Sequence, residues 1–307
     1  MSEPAAVILF GASKAGEFFL QQNPELEVIA ILDNDPVRQG GQLHGVPVIA
    51  PAQLPGLSYA KIIITSQWID AISAQLTALG VPADKISVPA KQQLKASKPF
   101  MHMATLKLAH QLLQRLNSYL QQHGIRPCLD SGTLLGVIRE HALIPWDDDI
   151  DLAIDDSEFD DLLRLMPDFF PQLPEQEQLD WQMVVLTIDQ VDACINLEFT
   201  PKAGSELLPF DLSLQRRQIK GENSELLSSA GLFFAPARHF SRYEQVHFLG
   251  QTFYVPSDPA GFLEFMYGNW QQPVQETRIT EYQNRRSQLP VTQMQVRVQK
   301  RLLGRTA

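Results

Sequence analysis

Cysteine is nearly missing from this chain: Cys128 and Cys194 are the only two among 307 residues. Two thiols cannot build a disulfide framework, and so few fit a reducing compartment. No Cys and His cluster at ligand spacing, which leaves a zinc site unsupported. His239 and His247 each stand among aromatic and apolar neighbours and read as structural histidines. Long apolar runs are missing too, none approaching the roughly 18 residues that span a bilayer. The opening Met1-Ser-Glu-Pro4 lacks a basic region and leads through Ala5–Phe10 into a Gly turn, which reads as a buried strand and not a signal peptide. An excess of basic charge is absent as well. The formal net charge is −10, against a general nucleic-acid binder. Repeats and low-complexity tracts do not occur. These absences together predict an ordinary globular, cytoplasmic protein.

What is present divides along the chain. About 100–200 residues per domain makes two domains the expectation for this length. Residues 1–95 sum to a charge of −2, residues 96–213 to −13 and residues 214–307 to +5, so the acidity is concentrated in the middle third. The first segment alternates short β-branched runs (6–10, 28–33, 60–65, 85–89) with helical stretches, the pattern of a parallel sheet covered on both faces. Its turn, Gly11-Ala-Ser-Lys-Ala-Gly16, nearly reproduces a dinucleotide-binding fingerprint, and Asp33 falls where a ribose-binding acid belongs. The middle glycine is Ser13, however. Two readings stand: Gly11, Gly16 and Asp33 frame a nucleotide or nucleotide-sugar pocket at a helix N-terminus, or the module is a scaffold whose Asp caps a loop. The module resembles small Rossmann-like domains attached to sugar-modifying enzymes, in which a Gly-Val-Pro-Val sequence (45–48 here) follows the second strand.

A polar linker, 90–97, precedes a helix expected from about 101 to 123, with Leu106, Leu112, Leu113, Leu116 and Leu120 as its core stripe. Then comes the acidic constellation. Ser131-Gly-Thr133 opens a short helix, Arg139 follows, and Asp147-Asp148-Asp149-Ile150-Asp151 runs into Leu152-Ala-Ile154. Read as a strand, Asp147, Asp149 and Asp151 share one face, while Asp148 falls with Ile150, Leu152 and Ile154 on the core side. Neighbouring carboxylates repel, and a hard cation such as Mg²⁺ or Mn²⁺ removes that cost. Mg²⁺ typically fills its remaining positions with water and phosphate oxygens, which points to a phosphate-bearing substrate. The competing reading of the acids is a solvated turn capping the next helix; that of Arg139 is a surface ion pair.

The Ser131–Gly136 turn, Arg139 and Ile144-Pro-Trp-Asp-Asp-Asp-Ile-Asp151 resemble the signature of the LicD family, phosphocholine transferases and relatives that include the fukutin-related pentitol-phosphate transferases. The similarity extends over about residues 100–275, returning weakly at Tyr267-Gly-Asn-Trp270. It implies an α+β nucleotidyltransferase-type (LicD-like) domain over residues 100–307, following the α/β Rossmann-like module read over residues 1–95. It also implies transfer of a phospho-alcohol from a CDP-linked donor to a hydroxyl of a cell-surface glycan or its precursor, as in lipopolysaccharide or capsule biosynthesis. Carried over, Asp147, Asp149 and Asp151 would hold Mg²⁺ or Mn²⁺, and Gly132, Thr133 and Arg139 would lie near the donor phosphates. The family places another Asp on a later strand, where this chain has Asn196. Glu198, two residues on, or Asp211 would replace it, so the implied catalytic set is Asp149, Asp151, Arg139 and Glu198. Residues 194–201 otherwise read as an edge strand with polar outer residues. Two rivals stand beside transfer of a phospho-alcohol: nucleotidyl transfer onto a sugar phosphate, and non-catalytic binding of a nucleotide sugar. The basic C-terminal tail (Arg285, Arg286, Arg297, Lys300, Arg301, Arg305) reads as an amphipathic helix, either solvated or lying on an anionic membrane face or acceptor glycan.

Overall fold

The computed structural model describes residues 6–94, 98–275, 282–286 and 298–305. The chain divides into two compact units, one formed by Met1–Ala96 with Val274–Tyr282 and the other by Ser97–Pro273 with Gln283–Ala307.

In the first unit, β1 (Val7–Phe10), α1 (Lys14–Gln22), β2 (Val28–Leu32), β3 (Gln42–Leu43), β4 (Val46–Ile49), β5 (Lys61–Ile64), α2 (Ile69–Ala78) and β6 (Ile86–Ser87) follow in order. The sheet runs β3-β4-β2-β1-β5-β6, with every pair parallel except β3 with β4. Alternate residues of β1 feed two separate cores. Ile8 and Phe10 pack with Ile62, Ile64, Ile72 and Leu76 on one face, and Val7 and Leu9 pack with Phe19, Ile31 and Val48 on the other. That is why the strand sequences are continuous apolar runs: both faces are buried. The Rossmann-like arrangement is as expected. The Gly-Val-Pro-Val stretch turns out to enter β4, which the apolar count alone passes over because only Val48 of it is buried.

The second unit begins with α3 (Met103–Gln122), β7 (Cys128–Leu129), α4 (Ser131–Glu140), β8 (Asp149–Asp155) and α5 (Asp156–Phe169). It continues through β9 (Leu179–Ile188), β10 (Val191–Pro201), β11 (Asp211–Lys220), β12 (Asn223–Leu226) and β13 (Phe234–Pro236). The last elements are β14 (Tyr243–Phe248), β15 (Gln251–Pro256), α6 (Pro259–Tyr267) and β16 (Val298–Arg305). Ten strands make one mixed sheet ordered β14-β15-β7-β8-β11-β10-β9-β16, with β12 and β13 continuing from β11. One face is apolar: Ile150, Leu152 and Ile154 of β8, Leu212 and Leu214 of β11, Ile195 and Leu197 of β10, and Met183 and Val185 of β9 are all buried. These pack with the α3 stripe (Leu108, Leu112, Leu116, Leu120) and with Phe159, Leu162 and Met166 of α5. The opposite face is free to be polar, and it carries the site.

Two expectations are corrected here. The tail residues 298–305 form a strand, not a helix, because β9 offers an open ladder edge on which Lys300 pairs with Leu186 and Leu302 with Val184. Arg297 lies outside the described residues, and Arg285 and Arg286 lie outside this strand. Nor is 194–201 an edge: β10 sits between β11 and β9. Among the described residues, no helix is long and apolar enough to cross a membrane.

Candidate active site

The short strand β7 leads into Asp130, which keeps an extended backbone and caps α4. Its Oδ1 accepts from the Ser131 N–H at 2.8 Å, the use of an aspartate that favours it at N-caps. Its Oδ2 accepts from Arg217 Nη2 at 2.7 Å. Asp130 is 1% exposed and Arg217 3%, so this is an ion pair wholly inside the protein. The Arg217 guanidinium also lies 3.9 Å from the centroid of the Phe240 ring. α4 is thereby anchored at its first residue. Thr133, one turn on, accepts from the Asp151 N–H at 2.9 Å through Oγ1, tying the helix to β8. Gly132 lies between these anchors. A Cβ there would overlap Asp147 Oδ2, so the glycine is what lets that carboxylate reach the helix N-terminus.

One carboxylate oxygen from each of Asp147, Asp148 and Asp149 lies within 4.8 Å of the others. This corrects the face assigned to Asp148. β8 starts only at Asp149, and Asp147 ends a turn in which its N–H donates to the Ile144 carbonyl at 3.0 Å. The two-residue alternation of a strand therefore does not apply before Asp149, and Asp148 swings to its neighbours. Asp151 stands two residues further along: its Oδ1 accepts from Ser213 Oγ at 2.6 Å and from Gln215 Nε2 at 2.8 Å. Ser228 Oγ in turn donates to Gln215 Oε1 at 2.6 Å.

The register extends the polar face across three further strands. β11 runs parallel to β8 with Asp211 beside Asp149 and Ser213 beside Asp151. Asn196 of β10 pairs with Ser213. Glu198 pairs with Gln182 of β9, whose Nε2 donates to Glu198 Oε2 at 3.4 Å. Glu198 is only 6% exposed. Asn196 Oδ1 accepts from Cys194 Sγ at 3.0 Å. Burial pushes the Cys194 thiol far up, and the nearby Asp151 charge adds to the shift. Cys128 is pushed up for the same first reason, with Asp130 adding to it. Neither thiol is a ready nucleophile, since the thiolate is the reactive form.

The structure thus gathers Asp147 and Asp149 with Asp148, sets Asp211 beside them in register, and holds Asp151 and Glu198 further along the same face. Arg139 is turned elsewhere. Its Nε donates to Glu140 Oε1 at 2.9 Å and its Nη1 to the Trp270 carbonyl at 3.3 Å. The Asp130–Arg217 pair escapes sequence reasoning because its members are 87 positions apart. Only the first half of it, an Asp ahead of Ser-Gly-Thr, carries a signal in the form of an N-cap.

In the first unit, the Gly11 turn is bonded to the protein itself. Asp33 Oδ2 accepts from the Ala12 N–H at 2.8 Å and Oδ1 from the Asp35 N–H at 2.8 Å. Arg38 donates to the Ala12 carbonyl and lies 3.5 Å from Asp33. A Cβ at Gly16 would overlap the Gly11 carbonyl oxygen, so this glycine serves the close packing of helix on turn. Asp33 is a loop cap here, with both oxygens engaged.

Residues 124–258 match the family described as LicD/FKTN/FKRP, nucleotidyltransferase domain. The match takes in the capped helix, the three clustered aspartates, Glu198 and Asp211, and ends before Tyr267–Trp270. Over those residues the resemblance to LicD proteins is shown. Residues 4–87 match the family described as C2185-like, N-terminal. The uncharacterized protein RP689 of Rickettsia prowazekii (strain Madrid E) is 24% identical over 168 residues, 52% of this chain and 54% of that protein. The uncharacterized protein RT0683 of Rickettsia typhi is 33% identical over 60 residues, 20% of this chain and 19% of that protein. The chain therefore spans about half the length of the first relative and about a fifth of the second. A myo-inositol dehydrogenase structure from Corynebacterium glutamicum aligns over 79% of this chain and 78% of its own, at 13% identity and a TM-score of 0.23. An oxidoreductase from Agrobacterium radiobacter aligns over 83% and 80%, at 12% identity and a TM-score of 0.24. Overlaps this loose carry no argument about fold or chemistry.

Proposed function

We propose that the second unit is a transferase that uses Mg²⁺ or Mn²⁺ to move a phospho-alcohol, such as phosphocholine, from a CDP-linked donor to a hydroxyl of a cell-surface glycan or its precursor. In this reading residues 1–95 and 100–307 are separate domains, and the work is done in the cytoplasm, at the inner face of the membrane where such acceptors are built. The observation that carries the proposal is the meeting of three aspartates, 147, 148 and 149, within 4.8 Å, with one of them seated on a glycine at a helix N-terminus. Three crowded carboxylate oxygens are a hard donor set of the kind that Mg²⁺ and Mn²⁺ prefer. Asp147, Asp148 and Asp149 would hold the ion, which would neutralise the donor diphosphate and stabilise the departing CMP.

The protein's own residues do the rest. The first turn of α4, at Gly132 and Thr133, directs backbone N–H groups and the positive end of the helix toward a phosphate. Ser213 and Gln215 fix one Asp151 oxygen, so Asp151 orders the neighbouring face. In this reading Glu198 or Asp211 would take the proton of the acceptor hydroxyl, general-base work that a carboxylate can perform. Arg139 is engaged by Glu140 and the Trp270 carbonyl and would have to leave them to meet the donor phosphates. The protein-filled turn around Asp33 favours a scaffold role for the first unit over nucleotide binding.

The test is a thermal-shift screen of the full chain with CDP-choline, CDP-ribitol, CDP-glycerol and UDP-sugars, with and without Mg²⁺ or Mn²⁺, followed by an assay for CMP release. A CDP donor should stabilise the protein only with metal, and Asp149→Asn should abolish release while the chain still folds. Pyrophosphate released from CTP or UTP would establish nucleotidyl transfer instead, and donor binding without turnover at any metal concentration would make this a binding protein.

A further inference from the structure

The polar face of the second unit's sheet does not stay polar to its end. One row across it runs Asp151, Ser213, Asn196, Val184 and Leu302, each residue paired in register with the next. Neighbouring rows end on Arg305 opposite Gln182, on Lys300 opposite Leu186, and on Val298 opposite Ile188. Val191 flanks Ile188 from the other side. Residues paired in register share a face of the sheet. The face that begins at the aspartates therefore ends in a corner of aliphatics and cations, four strands away and about 19 Å on at the usual strand spacing. Leu303, at the bulge in β16, packs on the core instead.

Val191, Val298 and Leu302 are 45%, 44% and 51% exposed. Large aliphatics left in water at one spot mark a contact surface. Lys300 and Arg305 are exposed among them, and among the described residues no carboxylate stands within ion-pair distance of either. Asp192 is met by Arg301 at 2.6 Å and Asp180 by Lys202 at 3.4 Å, while Asp189 lies beyond Val191 in the turn between β9 and β10. A soluble phosphate would use the cations and leave the aliphatics in water. An apolar peptide would cover the aliphatics and leave the cations unmatched. An anionic bilayer takes both at once, the aliphatics entering the headgroup boundary while the cations meet lipid phosphates. The chain as a whole carries −10, so it is a local patch of this kind that would hold it to such a surface. We propose that the corner formed by Val191, Val298, Lys300, Leu302 and Arg305 docks the protein on an anionic bilayer, with the aspartates on the same face of the sheet. The inference rests on the placement at a membrane face proposed above, to which it gives a surface, and not on the transfer chemistry.

Flotation of the full chain with vesicles at low salt tests this, comparing phosphatidylcholine alone with an equal mixture of phosphatidylcholine and phosphatidylglycerol. The anionic vesicles should be bound at least about tenfold more tightly, since each cation near such a surface is worth about fivefold. The double variant K300Q/R305Q should lose that preference. Leu302→Ser should weaken binding to anionic vesicles about threefold or more while the preference for charge remains. All three side chains are exposed, so both variants should melt as the parent does. D149N should float as the parent does. Lost CMP release beside intact flotation leaves this proposal standing, whereas CMP release to a soluble acceptor beside absent flotation overturns it alone. Equal binding to both vesicles, binding to neither, or unchanged binding in K300Q/R305Q or L302S overturns it. So does self-association at low salt that L302S abolishes, which would make a second copy the occupant.

Discussion

A single methyl group at residue 132 has two separable effects. A Cβ there collides with Asp147 Oδ2, not with backbone, so the carboxylate must leave. Gly132→Ala should therefore cost about 1–3 kcal/mol at most, the usual range for a small overpacking. The metal-induced rise in melting temperature should disappear altogether, and a thermal-shift comparison with and without Mn²⁺ reads both effects. Arg217 predicts the reverse balance. Removing it leaves Asp130 charged, buried and alone, so Arg217→Met should cost about 3–5 kcal/mol, measured by urea unfolding. Asp130→Asn alongside it should restore part of the loss, because no unpaired charge then remains inside. Nothing in the sequence around residue 217 announces this. A buried arginine in a polar-looking strand (Gln-Arg-Arg-Gln) is legible only once Asp130 and Phe240 are seen against it.

At the scale of elements, the boundary of β8 decides which acids act together. From Asp149 onward the alternation of polar and apolar residues is plain in the sequence, and the buried Ile150, Leu152 and Ile154 follow it. Upstream of Asp149 the chain is a turn, where spacing says nothing about direction, so the grouping of Asp148 with Asp147 and Asp149 had no sequence signal. Asp148→Asn should accordingly weaken the metal-induced stabilisation as strongly as Asp149→Asn does. An Asp148→Asn protein that responds to metal like the parent would return Asp148 to the core side. The interior position of β10 was equally hidden. Residues 194–201 alternate as an edge strand would, and only the two ladders show that β10, which carries Glu198, runs between β11 and β9.

For the whole molecule, the parallel sheet of the first unit was legible because it rests on periodicity, in continuous β-branched runs. In the second unit the helical stripe and the alternation from Asp149 onward were legible in the same way, while its α+β class came from the family resemblance. The concentration of acid in the middle third also maps onto real geometry, since Asp147, Asp149, Asp151, Glu198 and Asp211 come from β8, β10, β11 and the turn before β8. What sequence could not supply was long-range pairing. The last strand joins β9 across more than a hundred residues, and a basic tail carries no mark of the edge it will complete.

That last strand has a consequence for how the protein behaves in company. β16 ends the path of the sheet among the described strands, is exposed over most of its length, and carries Lys300, Arg301 and Arg305. Its outer row of N–H and C=O groups is an open template for another chain. A second copy approaching edge to edge would bring cations against cations, and among the described residues only Arg301 of the three has its charge met in an ion pair, with Asp192 at 2.6 Å. The growth of one sheet into the next is therefore held off by charge, over a range of about 8 Å at physiological ionic strength. Raising salt should draw the protein into larger species in sedimentation or light scattering, and Lys300→Glu should do so at low salt by making opposite charges meet. On this argument the segment whose basic residues first suggest an attachment would keep the molecule apart from its own kind.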